Sequence, residues 1–221
     1  IDRSRGLGDV YKRQVLLYVL SHISIGKHLE AYRSDLKKGD TQGAYHCADQ
    51  YLAVPEVRVT DDLTTMNHQV IRALLHRWFE FFFLMVFWYM VADIAGILLA
   101  WFSLQYARTT HCDAQGWRYL HWIEWIPVRL LGLTYALAGD FLRAFPVLHS
   151  YLWDRTANSA DVLYRVANES LAGQSVQMSS PVDENAEEAA AELDRWQRLH
   201  IRSLSVWMVI IGAATVGGYL L

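Results

Sequence analysis

Two charged side chains, Glu124 and Arg129, stand inside an apolar run from His121 to Asp140, with Pro127 between them. The run is apolar enough to enter a bilayer. A charge at that depth costs a few kcal/mol or more, so it is rarely kept without a partner or a role. The planar guanidinium fork suits an anionic group such as a carboxylate or phosphate, and a proline in the same turn breaks or kinks a helix. On an unbroken helix, residues five positions apart sit about 140° apart, on different faces; a break at Pro127 loosens that geometry. Two readings stay open on these residues. In one, Glu124 and Arg129 lie near the membrane interface and snorkel, with Trp117, Trp122 and Trp125 as an aromatic belt. In the other, Arg129 is pre-ordered by the proline turn and offers its guanidinium to an anionic ligand or partner. Glu124, Pro127 and Arg129, with Asp140 at the end of the run and Asp93 in the preceding apolar segment, form the candidate binding set.

Composition points to a polytopic membrane protein with polar helical loops as the frame for these residues. The chain has 221 residues, of which 53% are hydrophobic and 19% charged, with nine Trp. The net charge of -3 gives no basis for nucleic acid as a partner; the expected partner is the lipid bilayer. Cys47 and Cys112 form no ligand pattern and read as thiols outside any disulfide. His46-Cys47 and His111-Cys112 have no further ligands at metal-site spacing, so they read as solvated loop residues, and no metal or cofactor is expected.

An all-α architecture follows from the order of apolar and polar segments, with about two full spans, one partial span and one broken embedded segment. Residues 1–14 contain Asp9-Val-Tyr-Lys-Arg-Gln14, which resembles the translated end of a sequencing adapter; such scars carry no fold information. Val15–Ile25 then reads as the tail of a span whose front is lost. Residues 26–80 read as a polar loop of short amphipathic helices, Leu29–Lys38 and Gln42–Leu52, with a third starting at Asp61/Asp62. Phe81–Leu104 is the clearest span, because 24 nearly all apolar residues suit a hydrocarbon core about 30 Å thick. Asp93 and Gly96 interrupt it; Asp93 either pairs with a charge on a neighbouring helix or is uncharged and hydrogen-bonded. Residues 117–145 read as an embedded or re-entrant segment broken at Pro127. Residues 146–203 read as polar helices and a linker, including a helical pattern over Asp154–Leu171, a linker at Gly173–Asn185 and an acidic helix start at Asp183–Glu192. Leu204–Leu221 closes the chain as a final span. If 117–145 crosses the membrane, seven and six Lys/Arg fall on one side and two on the other, in line with the positive-inside rule. If it re-enters, the orientation is open.

Trp122-Ile-Glu-Trp-Ile-Pro-Val-Arg-Leu-Leu-Gly-Leu-Thr-Tyr-Ala-Leu-Ala-Gly139 resembles the signature of the AmpE family. The order of polar loop, apolar span with a following Tyr-Ala-Arg108, embedded segment, polar linker and C-terminal span is similar to that family over Val15–Leu221. The resemblance implies an inner-membrane, multi-pass regulatory modulator linked to β-lactamase induction and cell-wall recycling. Its ligand or partner would be a protein or a cell-wall-derived molecule. AmpE proteins in turn resemble the CbiB/CobD ligases of cobalamin biosynthesis, whose signature has an acidic pair and an Asn ahead of I-P-A-R-L. Pro127, Arg129 and Leu130 match that pattern, whereas His121, Glu124 and Trp125 depart from it. The ligases' acid-and-Asn motif before the main span is replaced by His76-Arg-Trp-Phe-Glu-Phe-Phe-Phe. Carboxylate activation with ATP needs metal-holding acids and phosphate contacts; these are not visible in the sequence, nor is a Walker-type glycine loop. The resemblance therefore implies a kept scaffold with lost or changed chemistry and a non-enzymatic role. The alternative is a membrane amide ligase acting on a corrinoid or related carboxylate.

Overall fold

A computed structural model describes residues 25–38, 40–50, 63–109, 114–154, 156–174 and 184–216. Among the described residues the regular structure is entirely helical, without a strand, in agreement with the all-α expectation. The adapter-like residues 1–14, most of the partial span Val15–Ile25, most of the Gly173–Asn185 linker, His111, Cys112 and the last residues of Leu204–Leu221 lie outside it.

Three helices form the first polar region, as the amphipathic spacing requires. Helix α1 (Ile25–Lys37) buries Leu29, Tyr32 and Leu36, and α2 (Thr41–Gln50) buries Ala44, Cys47 and Ala48. Helix α3 (Leu63–Trp78) buries Met66, Val70, Ile71, Leu74 and Leu75, a stripe at the helical period. Cys47 therefore belongs to a packed helix face and not to a solvated loop. Asn67 ties this region to the end of the chain: it accepts from the Tyr32 hydroxyl (3.3 Å) and donates to Glu192 (2.8 Å).

Helix α3 continues through a π-helical turn, Phe79–Leu84, into α4 (Met85–Thr109). The stretch Thr65–Thr109 is long and apolar enough, by length and composition, to cross a membrane, and among the described residues it alone passes that test. It is not one straight rod. Ala92 (φ -138°, ψ 21°) and Asp93 (φ 54°, ψ -141°) leave helical geometry. Beyond them the chain turns back, so that the Arg108 guanidinium lies 3.0 Å from Glu80 and 5.1 Å from the Phe81 ring centroid. An uninterrupted helix would separate positions 80 and 108 by about 42 Å. The apolar run Phe81–Leu104 is thus the two arms of a helical hairpin. Gly96 permits the turn: a Cβ there would lie 1.9 Å from the Trp88 carbonyl oxygen of the opposing arm.

Helix α5 (Ala114–Ala138) carries the charged apolar run, and α6 (Phe141–Leu152) and α7 (Ser159–Leu171) follow it. The last helix, α8 (Glu184–Val216), is 33 residues long. Helix α5 is central, packing against α4, α6, α7, α8 and the π turn. Its continuity corrects the expected break at Pro127. Proline removes one intrahelical N–H and leaves the carbonyl four residues back without its partner. That carbonyl, of Ile123, accepts from the Trp88 indole N–H at 3.3 Å, so the helix runs on. The break falls instead at Gly139–Asp140, inside the segment read as 117–145. A Cβ on Gly139 would lie 2.5 Å from the Ser170 carbonyl oxygen, which also accepts from the Asp140 N–H at 2.9 Å.

The outer surface is of two kinds. Around α1, α3 and the start of α8, ion pairs face solvent: Arg33–Asp194, His68–Glu192 and Arg72–Asp161. On α4–α6 and the later part of α8, large apolar side chains are exposed, among them Phe102, Trp122, Ile126, Leu142 and Val209, the last two 84% and 72% exposed.

Candidate functional site

The two charges of α5 have different environments, and no ion pair joins them. Arg129 is buried at 8% exposure. Its guanidinium donates to the carbonyls of Trp125 (2.9 Å), Tyr151 (2.8 Å), Leu152 (3.3 Å) and Asp154 (2.6 Å), and it stacks 4.4 Å from the Trp125 ring centroid. Three of these carbonyls belong to the C-terminal end of α6 and the residues just after it, where the last carbonyls of a helix have no intrahelical partner. Arg129 is thus a helix cap reaching across from a neighbouring helix.

Asp140 is also a cap. Its carboxylate accepts from the Leu142 and Arg143 N–H groups at 3.1 and 3.3 Å, at the start of α6. Asp93 is exposed at the hairpin turn, in a backbone region that glycine adopts freely and other residues rarely do. Pro127 lies buried within α5. The five candidate residues are therefore not one site: Arg129 and Asp140 hold the two ends of α6, Asp93 shapes the α4 hairpin, and Glu124 faces elsewhere.

Glu124 meets two residues the sequence reading left out of the site. His76 of α3 lies with Nε2 3.8 Å from Glu124 Oε2 and Nδ1 3.8 Å from Glu80 Oε1. One ligand-type atom each from His76, Glu80 and Glu124 falls within 4.8 Å of the others. Both carboxylates are buried, Glu80 at 9% and Glu124 at 4% exposure. Arg108 occupies the outer oxygen of Glu80, Oε2, at 3.0 Å. Glu124 Oε1 is buried with no hydrogen-bond partner, a state that costs about 1–3 kcal/mol and more for a charged group. Two buried acids and a histidine are here brought together from two helices. Their only local signal is His76 and Glu80 four apart on one helix; their approach to Glu124 has no local signal.

A second polar seam joins α5 to α8. The Tyr135 hydroxyl is 3.0 Å from His200 Nδ1, and the His200 ring stacks on Trp78 with centroids 4.4 Å apart. Thr134 Oγ1 accepts from Ser203 (3.2 Å) and Trp207 Nε1 (3.4 Å). Burial lowers the His200 pKa to about 4, so the ring is neutral at pH 7.

A family profile described as "Regulatory signalling modulator protein AmpE" matches residues 12–216, nearly the whole chain. The chain belongs to the AmpE family. Protein AmpE of Shigella flexneri is 30% identical over 171 residues, covering 71% of this chain and 60% of that protein. The chain thus spans about 60% of the length of that curated relative. No solved structure matches it. For this AmpE-family chain, the geometry gives the Trp-Ile-Pro-Val-Arg-Leu segment an architectural meaning. Pro127 frees a carbonyl that Trp88 takes up, and Arg129 holds the end of α6.

Proposed function

We propose that this chain is a membrane-embedded regulatory modulator that acts in the β-lactamase induction response linked to cell-wall recycling. The observation that carries the reading is the family match along residues 12–216. The apolar side chains exposed on α4, α5, α6 and α8 support a multi-pass location in the inner membrane, where lipid covers them. The ion-paired region around α1, α3 and the start of α8 then faces water. With Arg108 beside Glu80, both ends of the α4 hairpin lie at one level, and its turn at Ala92–Asp93 points the other way. The ligand is a protein or a cell-wall-derived molecule. The amide-ligase alternative draws no support from the comparisons.

A β-lactamase reporter in a strain lacking the corresponding gene tests this reading. The full-length gene is expected to restore induction by a β-lactam, and the protein to stay in the membrane fraction after alkaline extraction. An induction curve that deletion leaves unchanged refutes the regulatory role. Release by alkaline extraction refutes the membrane assignment.

A further inference from the structure

We propose that His76, Glu80 and Glu124 form a binding site for a divalent transition-metal ion, of the zinc or manganese class. This goes beyond the regulatory reading and does not depend on it. The donor set is one imidazole nitrogen and two carboxylate oxygens. Imidazole suits zinc and its neighbours, and carboxylate suits zinc and manganese, so the mixed set favours a borderline transition metal over calcium or magnesium. The three donor atoms lie within 4.8 Å of one another. Metal–ligand bonds of about 2.0–2.2 Å bring such atoms to about 3.3 Å apart in a tetrahedral site, so side-chain adjustment of under about 1.5 Å closes the shell.

Two features distinguish the cluster from an ordinary surface ion pair. Glu124 is 4% exposed and its Oε1 has no partner, leaving a buried carboxylate oxygen available to a cation. Glu80 divides its two oxygens, Oε2 to Arg108 at 3.0 Å and Oε1 toward His76 at 3.8 Å; Arg108 thus orients the carboxylate from outside, as a supporting group does around a metal. The ion joins α3 to α5 and, through Glu80 and Arg108, to the returning arm of α4. Its binding fastens the base of the hairpin to the central helix.

The test uses the purified full chain in detergent, stripped with EDTA and then supplied with zinc chloride or manganese chloride. About one equivalent of metal per chain is expected to survive gel filtration, with a rise in the thermal midpoint. Glu124→Gln and His76→Gln are each expected to weaken binding at least about tenfold, whereas His68→Gln, in the half-exposed pair with Glu192, retains the ion. Retention of no ion by the wild type overturns the proposal, as does equal retention by both site variants. Should those variants fail to fold, cobalt(II) added to the wild-type chain decides: visible ligand-field bands of a four- or five-coordinate site support the proposal, and their absence overturns it.

Discussion

Glu124 and Arg129 are both buried charges on one helix, yet their surroundings differ in kind. Arg129 has its donors engaged by four carbonyls and its flat face against Trp125. Glu124 keeps one oxygen without a partner and directs the other toward a histidine 3.8 Å away. Burial of charge alone does not separate a structural group from a functional one; the state of its hydrogen bonds does. A saturated ion is part of the architecture, and replacing it damages the fold. An unsaturated one costs stability where it stands, and its retention is explained by what it binds.

The largest effect expected from this contrast is at Arg129. Arg129→Ala strips the cap from α6 and leaves partly buried carbonyls unpaired, a loss of about 3–5 kcal/mol by denaturant or thermal unfolding in detergent. Arg129→Lys is expected to recover less than half of it, because one ammonium cannot reproduce the fork. A variant as stable as wild type would remove the architectural reading of this residue.

Next in size is a pH effect at His200, a third buried titratable group and one that stays neutral. Its folded pKa of about 4 lies below the ordinary 6.5, so the unfolded chain binds the proton first. Stability is present above pH 6.5 and is lost as pH falls toward 4, by up to about 3 kcal/mol. The difference between wild type and His200→Gln across that window isolates this ring. Parallel curves for the two proteins would contradict the assignment.

Trp88→Phe removes the donor to the Ile123 carbonyl while keeping most of the apolar ring. About 1 kcal/mol of stability should go with it. A larger loss would show that Pro127 depends on that single bond more than on the packing around it.

The smallest change in stability is expected at the open charge. Glu124→Gln should alter the unfolding free energy by under about 1 kcal/mol, in either direction, since it relieves an unsatisfied buried charge while loosening the His76 contact. Its effect should fall instead on induction in the reporter strain. Loss of stability equal to that of Arg129→Ala would erase the distinction between the two sites.

The amino-acid sequence by itself determined the helical class, the amphipathic faces of α1–α3, and Glu124 and Arg129 as the charges to ask about, because helical periodicity and an apolar context are local properties. It also held the family signature. Where each charge goes was decided by tertiary structure. The α4 hairpin depends on two non-helical residues and the tight Trp88–Gly96 approach, and a run of apolar residues reads alike whether it is straight or folded. Pro127 reads as a helix breaker until an indole from another helix takes the freed carbonyl. Asp140 reads as a ligand-binding acid until its carboxylate is seen accepting from the first N–H groups of α6. The meeting of His76, Glu80 and Glu124 is likewise a product of packing: an i,i+4 pair on one helix carries no information about which side chain a second helix presents to it.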